Sequence, residues 1–273
     1  MAALTFDPGP SGPSAARFLD LLDSPPPLPA YPWAKFRREW GPIFYRGRLD
    51  GTARILVIGQ DPGQHECIGR RILVGEAGQR VQGFLAKLGI TRSYVMVNAF
   101  LFCCFTKQAA IDMRDDPSLA PDRDAWIAAV LETGPVEVVV AFGGAARDAY
   151  QGYLARRTSG LGRPDPAFVH VVHPTAPIAE KSMLTNWNTG LAAAFPALTA
   201  RDVPVSLVPY GTAFTPADFA PIPPFDMPAG APPWMGGVDN WAWREAAAAT
   251  PTSPAIPKRA RLVVAVPEIA RGW

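Results

Sequence analysis

The sequence predicts an α/β protein, a three-layer α/β/α sandwich built on a four-stranded parallel sheet. Two observations carry the prediction. Ile55-Leu56-Val57-Ile58 is short, mostly β-branched and continuously apolar, as strands buried on both faces are, and three later short runs read as strands as well. Between them lie stretches whose apolar residues recur at helical spacing, so each strand reaches the next through a helix. Strands alternating with helices close into a parallel sheet with right-handed crossovers.

Taken in order, residues 1–13 are rich in proline and glycine and are read as loose. Ser14 is placed to cap a short helix carrying Phe18, Leu19, Leu21 and Leu22, which the prolines from Pro25 onward end. Tyr31, Trp33, Phe36 and Trp40, with Lys35, Arg37 and Arg38 between them, read as a helix covering the sheet; a platform for nucleic acid is the minor alternative. The first strand, Arg54–Ile58, runs into Gly59-Gln60-Asp61-Pro62-Gly63. Residues 64–80 read as irregular, and Val81, Phe84, Leu85 and Leu88 mark a helix that Gly89 ends.

Tyr94–Asn98 is the second strand, followed by a polar loop from Thr106 to Asp122. Trp126, Ile127, Val130 and Leu131 form the next helix, stopped by Gly134-Pro135. Val136–Phe142 is the third strand, and Gly143-Gly144 opens a helix through Tyr153. The fourth strand, Phe168–Val172, ends at His173-Pro174-Thr175, and a helix then carries Met183, Leu184, Trp187, Leu191 and Phe195. From about Pro204 proline dominates, with Trp234, Trp241 and Trp243 embedded and a small basic cluster at Lys258-Arg259-Ala260-Arg261. The division is therefore an α/β/α domain over 1–203 and an extension over 204–273, part of which wraps the core as extended chain, since a disordered tail is poor in tryptophan.

Composition narrows the class. The 273 residues are 48% hydrophobic and 18% charged, which suits a cytoplasmic globular protein. Lys plus Arg total 26 against 24 acids, a net charge of +2, so no polyanion partner is announced by charge alone. Three cysteines, Cys67, Cys103 and Cys104, are too few and too odd for a disulfide framework and point to a reducing compartment. No apolar run has the length of a membrane span, and the start lacks the pattern of a signal peptide. A zinc deaminase needs His-x-Glu and Cys-x-x-Cys, whereas His65-Glu66 and Cys103-Cys104 are adjacent pairs.

Asp61, Asn98 and His173 each stand at a strand end. In a parallel sheet those ends share one rim, where ligands bind. Any one of them has a structural reading: Asp61 as a turn or helix cap, Asn98 as a satisfied amide, His173 as a turn histidine. Together they set a carboxylate able to orient water, a carboxamide able to read an amide-like ring, and an imidazole able to donate to an oxygen gaining charge. That set describes hydrolytic removal of a nucleobase.

Gly59-Gln60-Asp61-Pro62-Gly63, Val97-Asn98 and His173-Pro174-Thr175 resemble the ordered motifs of the uracil-DNA glycosylase superfamily. The stretch Gly69-Arg70-Arg71-Ile72-Leu73-Val74-Gly75-Glu76-Ala77-Gly78-Gln79 is similar to the pocket-shaping segment of its iron–sulfur branch. The resemblance spans about residues 54–195. It implies a monomeric DNA repair glycosylase that hydrolyses the N-glycosidic bond of uracil in DNA, without a metal or organic cofactor, after drawing the nucleotide out of the stack. Asp61 and His173 would be catalytic, and Gln60, Gly63, Leu73 and Asn98 would bind uracil. Arg70, Arg71, Thr175, Ser182 and the amides at Gly143-Gly144 would bind DNA, and Ile178 would wedge into the space the base leaves.

The chain also departs from that family. Glycine stands at position 63 where the best-studied branch has the tyrosine that excludes thymine, and Leu73, or Ile72, stands where a phenylalanine stacks on uracil. Three cysteines cannot hold a four-cysteine cluster, so none is expected. The departures leave open a related activity on hypoxanthine or xanthine, a non-catalytic binder of damaged or abasic DNA and, more remotely, a flavodoxin-like enzyme acting on a small molecule.

Overall fold

In the computed structural model, which describes residues 5–26, 31–237, 240–245 and 261–266, the apolar runs pair into one sheet. Its strands are β1 (Arg46–Gly47), β2 (Ile55–Gly59), β3 (Tyr94–Asn98), β4 (Val138–Phe142) and β5 (Ala167–Val171), in the order β1-β3-β2-β4-β5. The last four are parallel, with Ile55 opposite both Tyr94 and Val138. These are the strands the sequence predicts, with small shifts at their ends. The fifth strand corrects the count: β1 runs antiparallel along β3, with Arg46 opposite Met96. A charged residue followed by glycine carries no apolar pattern, so only its pairing reveals it as a strand.

Alternation along β2 sends its side chains to two cores. Ile55 and Val57 pack with Val81, Phe84 and Leu85 of α3 (Glu76–Lys87) and with Met183, Leu184 and Trp187 of α7 (Glu180–Ala197). Leu56 and Ile58 join Phe18 of α1 (Ala15–Asp23), Trp126 and Val130 of α5 (Ala120–Thr133), and Ala146 and Tyr150 of α6 (Gly144–Arg156). With both faces covered, Ile55 through Ile58 are each 0% exposed. Burying one such side chain stabilises by about 1.5–3 kcal/mol, which is why the strand reads as an unbroken apolar run.

Four local expectations are corrected. Residues 64–80 are largely helical: α2 (Gln64–Gly69) follows the acid turn, and α3 already begins at Glu76. Gly69, Gly75 and Gly78 hide both in the sequence. The stretch from Thr106 holds α4 (Lys107–Asp112), whose start Thr106 caps by accepting from Ala109 N–H at 3.0 Å. The aromatic stretch makes two single 3₁₀ turns, at 33–35 and 38–40, in place of a covering helix, because Phe36 bridges to Cys104 as extended chain. Its rings still pack, with Tyr31 and Phe36 buried against Phe102 and Phe100. Ser14 makes no side-chain cap; its hydroxyl donates to Leu49 O at 3.5 Å.

The chain beyond residue 204 lies on the core through specific bonds. Asp226 is 0% exposed and accepts from Arg48 Nη2 at 2.8 Å and from the Tyr94 hydroxyl. Arg46, also 0% exposed, sits 3.5 Å from the same carboxylate. Farther on, β6 (Ala242–Glu245) pairs antiparallel with β7 (Arg261–Val264). Lys258, Arg259 and Ala260 and the side chain of Arg261 lie outside the described residues.

Candidate active site

The parallel register aligns the carboxyl ends of β2, β3 and β5 along one edge, and a cleft of about 500 Å³ opens there. Gln60, Asp61, Gly63, Leu73, His173 and Thr175 line it together. They come from the turn after β2, the loop before α3 and the loop after β5, so the sheet gathers residues more than a hundred positions apart.

Asp61 is held from two sides. Its Oδ1 accepts from Gln60 Nε2 at 3.0 Å and its Oδ2 from Cys104 N–H at 2.9 Å. The Cys104 thiol also bonds this carboxylate; burial first, and the Asp61 charge second, push the thiol up, so it stays a neutral donor. The carboxylate lines the cleft, where a ligand or water can reach it.

Glu66, in the same lining, was not singled out from the sequence. It accepts from Gly63 N–H at 2.9 Å and so closes the start of α2. Its signal was the three-residue spacing of a capping box. Burial raises its pKa, and the Asp61 charge adds to that against the backbone donors. A Cβ on Gly63 would come within 2.9 Å of the Glu66 carboxylate. A side chain there would have to displace the end of Glu66 from this cap.

Leu73 enters the cleft from a left-handed backbone, φ 54°. For a branched residue that conformation costs about 1–2 kcal/mol, so the surrounding loop must hold it. Behind Leu73 stands Asn98, 4% exposed, with Oδ1 buried and without a hydrogen-bond partner. A Cβ built on Gly59 would collide with that oxygen and would meet Leu73 Cδ1 at 3.6 Å. The carboxamide is therefore directly beneath the lining rather than in it. A buried acceptor left unpaired is costly, and a ligand N–H would satisfy it.

His173 is seated by its own loop. Thr175 N–H donates to His173 Nδ1 at 3.2 Å, and the Thr175 hydroxyl lies 3.1 Å from the same nitrogen. With Nδ1 accepting, the neutral ring carries its proton on Nε2. Burial, and then the charge of Lys107, lower the imidazole to about 4, so the neutral donor is the form present near neutrality. Trp187 Nε1 and Asn186 Oδ1 bond the backbone of Val172 and fix where the loop starts. Gly143, φ +94°, lets the start of α6 pass close by, and a Cβ there would sit 3.2 Å from His173 Cβ.

The other DNA-binding candidates are outside the lining. Gly144 lies beside Arg114, Ile178 is 45% exposed on the loop after β5, and Ser182 is exposed on the first turn of α7. Arg70 ends α2 and donates to the carbonyls of Trp40 and Pro42 at 2.7 and 2.9 Å. Arg71 is paired with Asp7 at 2.8 Å and lies over the Tyr45 ring. Three further lining residues escaped the sequence reading: Lys107, His65 and Asn240. Lys107 falls in a stretch whose sequence reads as a loop, His65 stands beside Glu66 without the spacing of a metal site, and nothing in the sequence ties Asn240 to the rest.

The sequence model of the family described as the Uracil DNA glycosylase superfamily matches residues 46–194, more than half of the chain. The match runs from β1 into α7 and includes Asp61, Asn98 and His173.

Proposed function

The chain belongs to the uracil DNA glycosylase superfamily, whose members are DNA repair glycosylases, and on that footing we propose that it removes uracil from DNA by hydrolysis and leaves an abasic site. The observation carrying this reading is the gathering of Asp61 and His173 on one cleft with Asn98 just beneath it. In the mechanism, the C1′–N1 bond breaks and its electron pair leaves with the base. His173 Nε2–H donates to O2 as that oxygen gains charge. Asp61 steadies the cationic sugar and orients the water whose oxygen bonds to C1′, while the water's proton passes to solvent or the departing base. Asn98 pairs with N3–H and O4 through its two amide ends, and Leu73 packs on the ring.

On the DNA side, Lys107, Thr175, Ser182 and the α6 start at Gly143-Gly144 face the backbone, and the exposed Ile178 fills the vacated stack. Arg70 and Arg71 are left out of this surface because their guanidinium groups are already engaged. Incubation with a uracil-containing oligonucleotide followed by alkali is expected to cut the strand at uracil; an intact strand would refute hydrolysis. A second reading, release of hypoxanthine or xanthine, is favoured by the missing ring at Gly63. The same oligonucleotide carrying each base in turn separates the two. Binding to abasic DNA with no base released would instead mark a non-catalytic binder.

His173 supplies a pH prediction. Its folded pKa of about 4 lies below the ordinary histidine value, so the unfolded chain binds a proton that the folded chain refuses. Its contribution to stability is full above about pH 6.5 and falls as pH drops toward 4. Base release is expected to show no inflection near the ordinary histidine pKa. In Lys107→Ala the imidazole is expected to titrate higher, because a neighbouring cation is gone, and the salt slope of DNA binding to shrink by about 1. NMR titration of the His173 ring tests the first and binding across salt concentrations the second. His173→Ala is expected to lose about a hundredfold to a thousandfold in single-turnover rate.

A further inference from the structure

The family match ends at residue 194, yet the cleft is walled from beyond it. Asn240 stands in the wall beside His65, Gly75 and Glu76. The chain leading there is fastened along α3. Ala220 N–H donates to Gln79 O at 3.2 Å, Gln79 Nε2 donates to Gly237 O, and a Cβ on Gly83 would collide with Asp218 O. Trp241, 2% exposed, donates from Nε1 to Met235 O at 2.9 Å and meets the His65 ring edge-on at 4.8 Å. Ala242 N–H then donates to His65 Nε2 at 3.3 Å. Between these anchored neighbours, Asn240 remains exposed.

Because Nε2 accepts from Ala242, the neutral ring holds its proton on Nδ1. Burial lowers the His65 pKa, and its bond to Asn240 works the other way. Asn240 bonds this imidazole from the cleft wall, and its amide carries two N–H donors there. The nearby Glu76 carboxylate is taken up by Arg80 at 2.5 Å. Leu73 and Asn98 are buried deeper, where a base would lodge, so the exposed amide faces the part of a nucleotide still at the mouth.

We propose that Asn240, carried by the C-terminal extension, donates its side-chain amide to a backbone phosphate of the nucleotide drawn into the cleft. The inference rests on the glycosylase reading above. Phosphate contacts from Asn amides position a nucleic acid without reading its sequence.

The probe is a fluorescein-labelled duplex with one tetrahydrofuran abasic site, followed by anisotropy at about pH 8, above the ordinary histidine range. Asn240→Ala is expected to weaken binding about fivefold to tenfold. The slope of log Kd against log salt should be unchanged, because a neutral donor releases no counterion. Asn240→Asp is expected to lose more, with the excess loss shrinking as salt screens the repulsion between carboxylate and phosphate. Affinities within about twofold of the parent, or equal losses in both variants at every salt concentration, would overturn the proposal. Thermal unfolding is expected to fall slightly in Asn240→Ala, which takes a partner from buried His65, and less in Asn240→Asp, which keeps a polar partner there. Uracil release by the parent is read alongside. A parent that releases uracil while both variants bind as it does refutes this inference alone. A parent that neither releases uracil nor binds the probe refutes the underlying reading as well.

Discussion

Asp61→Asn is expected to keep the fold and lose about a hundredfold to ten-thousandfold in base release. Shape is retained, and so are the bonds to Gln60 and the Cys104 amide. The new amide can turn its oxygen toward Cys104 N–H and its NH₂ toward Gln60, whose own amide can flip to accept. What disappears is the negative charge beside the sugar and the acceptor that aligns water. Single-turnover assays at saturating protein isolate that step from binding. An Asp61→Asn variant with the parent's rate and unfolding midpoint would remove the carboxylate from the chemistry. Binding of abasic DNA should survive, because the charge lost is repulsive toward phosphate.

Asp226→Ala is expected to destabilise by about 3–5 kcal/mol. The carboxylate is 0% exposed between Arg46, Arg48 and Tyr94, so its removal strands two buried guanidinium groups and a hydroxyl. Burial and the Asp226 charge both push the Tyr94 phenol up, so it stays a donor and cannot neutralise the arginines. Replacing Arg46 by Met in the same chain should return part of the loss, because one stranded charge goes with it. Urea unfolding measures both. A single-variant loss under about 1 kcal/mol would mean that the extension opens to water without cost to the core. The Asn240 seat should weaken along with this anchor, since the same stretch of chain leads to both.

Ile55–Ile58 was legible because burial on both faces demands an unbroken apolar run, and β3 and β4 followed from the same demand. The helices of α3, α5 and α7 were legible through their apolar spacing. The rim on which Asp61 and His173 meet followed from crossover handedness and the ends of the runs. β1 was not legible, because its strand character consists only of pairing with β3. Nor was α2, whose start is set by Glu66 reaching back to Gly63 among glycines that argue locally for a loop.

The sequence by itself determined the α/β class, the parallel core and the positions of the acid, the amide and the imidazole along the chain. Tertiary structure decided which polar groups remain available. It engaged Arg70 and Arg71 within the fold, set Asn98 beneath the lining and brought Ala242 to His65 across 177 residues. The physical reason is range. Periodicity and capping are written within a few neighbouring residues, whereas the partner of a buried charge or imidazole is fixed only when distant segments pack.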